Sequence, residues 1–456
     1  MNAPIGTPDR SPPAELAHVR AWHPGARVVR SRLGAHLFVV DGSRLYDIPA
    51  DLAEKLERDL TAGDHGGVDA LLADAAPRAE PYIGAEPMEP PALRAISLNV
   101  AQTCNMGCGY CYADEGRFGG NARSMTLDTA KATIDRLIAE AVPGGNIVVG
   151  FMGGEPLMQR RLVHEATHYA VEAAGKAGLG IGFSITTNLT LLRENDARLF
   201  RDFGFTVQAS VDGPRDVQNR LRPMKGAGRS AGGPDSYGRV RRALEIIERV
   251  GRPRHLSARA TVTPQSGPLW PILEHLLGLG FDDVGFAAVT ESPNPALAFS
   301  RAEFDGFLAE MSGCGERAVA AILDGKRLPF SNLETALAEI HRGTHRPYPC
   351  GAGAGYLSAN ADGDLYACHR LIDDNAFAMG GTEGSDRQAR ADLLAAKHVD
   401  RQEPCRSCWA RYLCGGGCYH EVDRRGRSAC DYIRGWLEFC LGAYAEISER
   451  RPGYFG

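Results

Sequence analysis

Three cysteines, Cys104, Cys108 and Cys111, stand together in the segment NVAQTCNMGCGYCYADEG. Three thiolates on one short loop can hold three irons of a cubane cluster and leave the fourth iron open to an exchangeable ligand. Zinc is the competing metal, although a structural zinc site takes four ligands. Three structural thiols at this spacing by accident is the bland alternative. A second group reads Cys350, Gly363-x4-Cys368, Cys405-x2-Cys408-x5-Cys414-x3-Cys418 and Cys430. Turns of the CxxC kind let neighbouring thiolates chelate one centre. Two interleaved sets would make two centres, with a pair of zinc ribbons as the structural alternative. Cys314 and Cys440 read as buried core thiols, because free cysteine behaves as a small hydrophobe.

The twelve cysteines need a reason other than disulfides. The first thirty residues carry proline and charge without an apolar h-region, so they do not read as an export signal. They read as a disordered start to a cytoplasmic chain. The 456 residues suffice for two or three domains, and 44% hydrophobic with 23% charged residues is the balance of a soluble globular protein. A net charge of −5 gives no basic field for nucleic acid. No apolar run reaches the roughly 18 residues of a membrane span.

These cysteines must be positioned by the elements around them. Short apolar runs at 95–101, 147–152, 181–186, 205–211, 256–263 and 283–290 alternate with helical stretches at 127–141, 161–175, 195–203, 237–250, 267–278 and 302–323. Six successive βα units predict an α/β fold with a parallel sheet and helices packed outside it. Functional residues then belong at the C-terminal ends of the strands, and the first cysteine group directly follows the first strand. Before this region, two alternating runs flank Asp41-Gly42, a hairpin signal, and a helix follows Pro49. Residues 1–90 read as a small separate element, with a linker around 74–92. After about 345 glycine and cysteine punctuation takes over. One helix at 431–448 closes the chain, its apolar stripe reading as core packing rather than a partner site.

The C-x3-C-x2-C spacing, with Tyr110 before the last cysteine, resembles the radical S-adenosylmethionine superfamily. The resemblance implies a partial (β/α)6 TIM-like barrel over 91–340. It also implies that the open iron chelates the amino and carboxylate groups of S-adenosylmethionine, which is cleaved to a 5′-deoxyadenosyl radical. By the same resemblance Tyr110 lies near the adenine and Gly153-Gly154-Glu155-Pro156 receives the methionine amino group. Asn188 closes the third strand in Thr187-Asn188-Leu189, where the family often has glycine at the third place. Ser210 would contact the cofactor carboxylate. Arg222 is a second carboxylate partner or a solvated surface charge.

The later cysteines resemble the seven-cysteine SPASM extension, which makes 341–456 an auxiliary cluster domain. Carried over, Cys405, Cys408, Cys414 and Cys430 hold a distal [4Fe–4S] cluster, and Cys350, Cys368 and Cys418 a proximal one. The proximal set is one ligand short, leaving Cys314, Cys440, a substrate thiolate or nothing in the fourth place. The implied cofactors are three [4Fe–4S] clusters and S-adenosylmethionine. The implied partners are a cysteine-bearing polypeptide and an electron donor such as flavodoxin or ferredoxin.

Residues 111–125 and the run CGGGCYHE at 414–421 resemble the thioether-forming maturases of quinohemoprotein amine dehydrogenases, which join cysteine sulphur to Asp and Glu methylenes. Sulfatase-maturing enzymes carry an acidic residue where this chain has His369 after Cys368. Formylglycine formation, carbon–carbon cross-linking and a chemically inert iron–sulphur electron-transfer scaffold are the alternatives. Asp235 is a candidate base and equally an N-cap for the helix at 237–250. His369 and His420 either tune a neighbouring cluster or pack beside it. The N-terminal element either recognises the substrate by strand addition or caps the barrel.

Overall fold

The computed structural model describes residues 22–75, 83–226 and 235–455. Most of the expected disordered start, part of the linker at 74–92 and most of the Gly-rich loop before Asp235 lie outside the described residues.

The first element is an antiparallel meander of Ala26–Ser31 (β1), Gly34–Val39 (β2) and Arg44–Ile48 (β3), followed by helices Ala50–Thr61 (α1) and Gly66–Ala75 (α2). The turn between β2 and β3 falls at Asp41-Gly42 as the sequence implies. Gly42 supplies the left-handed backbone there, with φ 76°. Strand β1 was not legible, because Arg27 and Arg30 interrupt its apolar run. Val28, Leu37 and Val39 face Leu56 and Leu60 in a core of their own.

Six parallel strands follow in chain order: Ala95–Ala101 (β4), Asn146–Gly153 (β5), Gly180–Thr187 (β6), Thr206–Ser210 (β7), His255–Val262 (β8) and Asp283–Ala288 (β9). The six-unit α/β expectation is met, each strand within two residues of its predicted ends. Helices Leu127–Ala139 (α3), Arg160–Lys176 (α4), Glu194–Asp202 (α5), Arg215–Leu221 (α6), Ser236–Val250 (α7), Leu269–Gly278 (α8), Phe304–Leu323 (α9) and Ser331–His341 (α10) complete the barrel region. The short α6 and α10 were not anticipated.

Strand alternation decides what this sheet encloses. One side carries Leu98, Val149, Phe151, Ile185, Val207 and Phe286, all buried, each burial contributing about 1.5–3 kcal/mol. The other carries Gly150, Ser184, Thr186, Gln208, Ser210 and Thr261, which are small or polar and line a cavity. The barrel is hollow because its inward residues are too small to fill it.

After α10 the sheet continues. Tyr356–Ala359 (β10) pairs parallel with β4 and antiparallel with Leu365–Tyr366 (β11), so the cysteine-rich segment adds two strands to the barrel sheet. The sequence pattern stops at about 345, because a four-residue strand has no periodicity of its own. Helices Arg387–Lys397 (α11), Arg411–Cys414 (α12), Tyr419–Arg425 (α13) and Cys430–Arg450 (α14) follow. The apolar stripe of α14 is core: Cys440, Leu441 and Ile447 are fully buried. The N-terminal element rests on this helix, where Arg27 pairs with Glu438 at 2.9 Å. No described helix is long and apolar enough to cross a membrane.

Candidate active site

Cys104, Cys108 and Cys111 leave the end of β4 on one loop and line the cavity. The loop is held by the backbone that follows β5. Gly154 N–H donates to the Ala101 carbonyl at 2.8 Å, and Glu155 N–H to the Thr103 carbonyl at 3.0 Å. A Cβ at Gly153 would overlap the Ala101 carbonyl oxygen, and one at Gly154 the Thr103 carbonyl oxygen. These glycines therefore permit a close backbone approach that fixes the cysteine loop, while both still face the cavity.

Glu155 behaves differently from the rest of its motif. Its carboxylate is buried and accepts from Leu157 N–H at 3.0 Å, Thr187 Oγ1 at 2.7 Å and Asn188 N–H at 2.7 Å. It does not line the cavity, so it ties β5 to the end of β6 rather than offering an oxygen to a ligand. Asn188 is positioned by this tie. Its Nδ2 lies 3.9 Å from Cys104 Sγ and donates to Asn105 Oδ1 at 3.0 Å. Leu189, where the family often has glycine, takes the left-handed conformation with φ 61° and is fully buried. That backbone costs a β-carbon residue about 1–2 kcal/mol, which burial of the leucine side chain offsets.

Tyr110 and Arg222 meet at Asp212, a residue whose role the sequence did not reveal. Tyr110 Oη donates to Asp212 Oδ2 at 2.5 Å, and Arg222 Nε pairs with Asp212 Oδ1 at 2.9 Å. The Arg222 guanidinium also stacks over the Tyr110 ring at 5.5 Å. Burial opposes its charge, but Asp212, Tyr110 and Cys108 outweigh burial and hold the guanidinium well above its usual range. Arg222 is thus no solvated surface charge. Thr261 N–H donates to the same Asp212 oxygen at 2.9 Å, linking the cluster to β8. An available signal was Asp212 itself, the acid just beyond a strand end and before Gly213. Ser210 lines the cavity beside this group.

The cavity has a volume of about 660 Å³, and its lining also includes Cys350, Cys368, His369, Arg370 and Glu421. The hairpin β10–β11 places Cys350 and Cys368 there by joining β4. The later thiols separate into two sets in space. Cys405 feels Cys414, Cys430 and Cys408, and those four line a second, smaller cavity of about 50 Å³. Cys350 and Cys368 instead feel Cys418, and Cys368 also feels Cys350. Cys418 borders the small cavity as well, so it stands between the sets. Cys314 and Cys440 are fully buried in α9 and α14 and line neither cavity.

Burial pushes the thiols up: Cys104 to about 11, Cys108 to about 12, Cys368 to about 11 and Cys405 to about 12. Such groups stay protonated at neutral pH unless a metal takes the proton's place. Among the described residues, no three or more His, Cys, Asp or Glu side chains converge tightly enough to chelate one metal ion. Arg370 ties the second set together. It approaches Cys418 Sγ at 3.8 Å, pairs with Glu421 at 2.8 Å and stacks on Tyr112 at 4.8 Å. Burial first, and then Arg370, push the His369 imidazole down to about 4. His420 packs its ring 5.6 Å from Tyr112 and stays out of the large cavity.

Asp235 is not among the described residues that line the cavity. It precedes α7 and is held by an ion pair with Arg215 and by Asn219 Nδ2 at 2.9 Å. With both oxygens engaged by neighbours outside the barrel mouth, it anchors the start of that helix.

Residues 98–266 match the model of the Radical SAM superfamily. A serine-type anaerobic sulfatase-maturating enzyme from Klebsiella aerogenes is 25% identical over 363 residues, 76% of this chain and 84% of that protein. Among solved structures, native anSMEcpe with bound AdoMet superposes with a TM-score of 0.66 at 18% identity, covering 78% of this chain and 99% of the other. Streptococcus suis SuiB bound to precursor peptide SuiA gives 0.51 at 13% identity, covering 88% and 96%. The fold is the radical S-adenosylmethionine α/β fold. The chain is an enzyme.

Proposed function

We propose that this enzyme modifies a partner polypeptide by joining a cysteine sulphur to a side-chain methylene or Cα carbon of the same polypeptide, as the maturases of quinohemoprotein amine dehydrogenases do. A polypeptide substrate is supported by the similarity to enzymes named for sulfatase maturation and to SuiB, solved with a precursor peptide. The observation that carries the sulphur–carbon reading is the three-thiol set Cys350, Cys368 and Cys418. Two of its members open on the cavity that also holds Cys104, Cys108 and Cys111. Neither Cys314 nor Cys440 lines that cavity, so a fourth sulphur donor would come from a molecule entering it.

Cys104, Cys108 and Cys111 would hold the cluster that binds S-adenosylmethionine, with Cys405, Cys408, Cys414 and Cys430 holding one auxiliary cluster and the three-thiol set the other. Together these groups supply a carbon radical that removes hydrogen from an unactivated C–H bond. The chain's own residues do the positioning. Asp212 fixes Tyr110 and Arg222 against the cysteine loop, Asn188 steadies Cys104, and Ser210 offers a hydroxyl to a bound carboxylate. Enclosure by the barrel keeps water and bystanders from the reacting carbon. In the net change one C–H and one S–H become C–S: one hydrogen atom would leave with the 5′-deoxyadenosyl group of S-adenosylmethionine, the other as a proton, and the remaining electron would pass to the auxiliary clusters. Flavodoxin or ferredoxin is the proposed reductant.

Oxidation of a cysteine to formylglycine is the second reading, and the relatives favour it because they carry that name over most of their length. His369 argues against it, since the expected acidic residue is missing. Co-expression with small cysteine-rich proteins encoded nearby, read by intact mass, separates the two. Loss of two hydrogens with one cysteine no longer alkylated supports the thioether. Replacement of sulphur by oxygen together with loss of two hydrogens supports formylglycine made from cysteine. Loss of two hydrogens with every cysteine still alkylated would overturn the sulphur reading, and capture of the product by an aldehyde reagent would then tell formylglycine made from serine from a carbon–carbon link.

A further inference from the structure

Three carboxylate side chains, Glu115, Glu291 and Glu421, line the large cavity. Two of them are already engaged: Glu115 pairs with Lys225 at 2.6 Å, and Glu421 with Arg370 at 2.8 Å. Glu291 is different. It has no ion pair among the described residues, and its Oε2 is buried without accepting a hydrogen bond. No other carboxylate oxygen among the described residues is buried in that state. The preceding residue repeats the pattern. Thr290 is buried, lines the same cavity, and its Oγ1 has no partner either. Two successive residues beyond the end of β9 thus leave acceptor oxygens unused at the edge of the cavity.

The neighbours of this pair fix where it sits. Thr290 also lines the small cavity of Cys405, Cys408, Cys414 and Cys430, as Glu421 does. On the other side, Ser292 Oγ donates to the Gly109 carbonyl at 3.2 Å, and Val289 packs with Tyr110 and Leu297. One short segment therefore touches the C-terminal cysteine region at Thr290 and the first cysteine loop at Ser292. Glu291 stands between these two contacts. The chemistry of the pair sets the ligand. A carboxylate oxygen taken from water without a donor is costly, so the site gains most from a group bringing donors and positive charge. A guanidinium presents its donors in a rigid fork suited to both oxygens of one carboxylate. An ammonium turns three donors freely and can serve two acceptors on separate side chains.

We propose that Glu291, with Thr290, binds the ammonium of a lysine side chain of the substrate polypeptide and so sets which stretch of that polypeptide enters the cavity. This rests on the polypeptide reading above. A lysine held at Glu291 fixes the register of the chain, and its neighbours in sequence are the residues brought between the first cysteine loop and the C-terminal region. A neutral side chain in its place would leave the carboxylate oxygen buried without a donor.

The test uses the iron-reconstituted enzyme without oxygen and two small probes that differ only in the ammonium, N-acetyl-lysine methylamide and N-acetyl-norleucine methylamide. Binding is followed by ligand-observed NMR. The wild type is expected to bind the lysine probe about ten-fold or more tightly than the norleucine probe. Glu291→Gln is expected to abolish that preference, and Glu291→Asp to keep part of it. Thr290→Val should weaken it by less than Glu291→Gln does. S-adenosylmethionine affinity, measured on the same samples, shows that each variant is folded and should stay at the wild-type level. Equal binding of the two probes by the wild type, or a preference that survives in Glu291→Gln, would overturn the proposal. S-adenosylmethionine is itself a cation, so the wild-type measurement is repeated with it bound. A lysine preference that disappears there, or a large loss of S-adenosylmethionine affinity in Glu291→Gln and Glu291→Asp alike, would assign the carboxylate to the cofactor and overturn the proposal. If the lysine preference holds while no polypeptide is ever modified, the cation site stands and the polypeptide reading fails.

Discussion

Cys104, Cys108 and Cys111 leave one strand end on a single loop, whereas Cys350, Cys368 and Cys418 come from three segments. The first set is shaped by backbone packing, in which Gly153 and Gly154 press against the loop and Asn188 reaches Cys104. The second is shaped by docking, in which β10 joins β4 and the start of α13 brings up Cys418. Members of both sets line one cavity. The contrast suggests a division of labour: the local set makes the radical, and the assembled set governs what the radical is used for.

Breaking the local set has the largest expected effect. Cys104→Ala is expected to abolish conversion of S-adenosylmethionine to 5′-deoxyadenosine, measured by chromatography after anaerobic reduction, while the iron held by the later cysteines survives. Retained conversion would remove the first loop from the chemistry. Breaking the assembled set is expected to uncouple the two functions. Cys350→Ala should still make 5′-deoxyadenosine, but modification of the polypeptide, read by mass, should be lost. If both activities vanish together, the sets are not separable and the comparison fails.

The same contrast explains what the sequence could disclose. The first cysteine loop, six strands and most barrel helices were legible because each depends on residues close in the chain, through periodicity of 2 or 3.6 and a fixed Cys spacing. The grouping of the later thiols was legible only through resemblance, since nothing in the spacing alone says that Cys418 lies nearer Cys350 than Cys414. Strand β10 was hidden because its partner β4 lies far away in sequence. Glu155 and Asp235 share one property: a carboxylate in a motif or near a strand end looks available until its hydrogen-bond partners are known. Asp212 was passed over for the neighbouring Ser210 because its partners, Tyr110 and Arg222, come from two other loops.

A smaller but sharper effect is expected at Asp212, which belongs to the local set without being a cysteine. Asp212→Ala leaves the buried Arg222 guanidinium without its counter-charge and Tyr110 without its acceptor. Removing one member of a buried pair costs about 3–5 kcal/mol, so urea unfolding should show a clearly lower midpoint. Asp212→Asn keeps the shape and one acceptor oxygen, and should cost less. If Asp212→Ala unfolds like the wild type, the Tyr110–Asp212–Arg222 cluster does not brace the cysteine loop.

The smallest effect is expected at the cysteines that belong to neither set. Cys314 and Cys440 are the two cysteines outside both groups, and either would complete the three-thiol set if it could reach it. Both are fully buried on helices that pack against each other, and neither faces a cavity. Burial raises both thiols, Cys314 to about 12, as expected of core groups. Replacing either by alanine removes one small buried atom, so a stability loss of about 1 kcal/mol is expected. Iron content per chain, measured after reconstitution, should be unchanged. Loss of about one cluster's iron in Cys314→Ala or Cys440→Ala would mean that the chain itself supplies the fourth sulphur. The wall facing the first loop would then be closed to a substrate thiol, and the argument for a sulphur–carbon product would lose its main support.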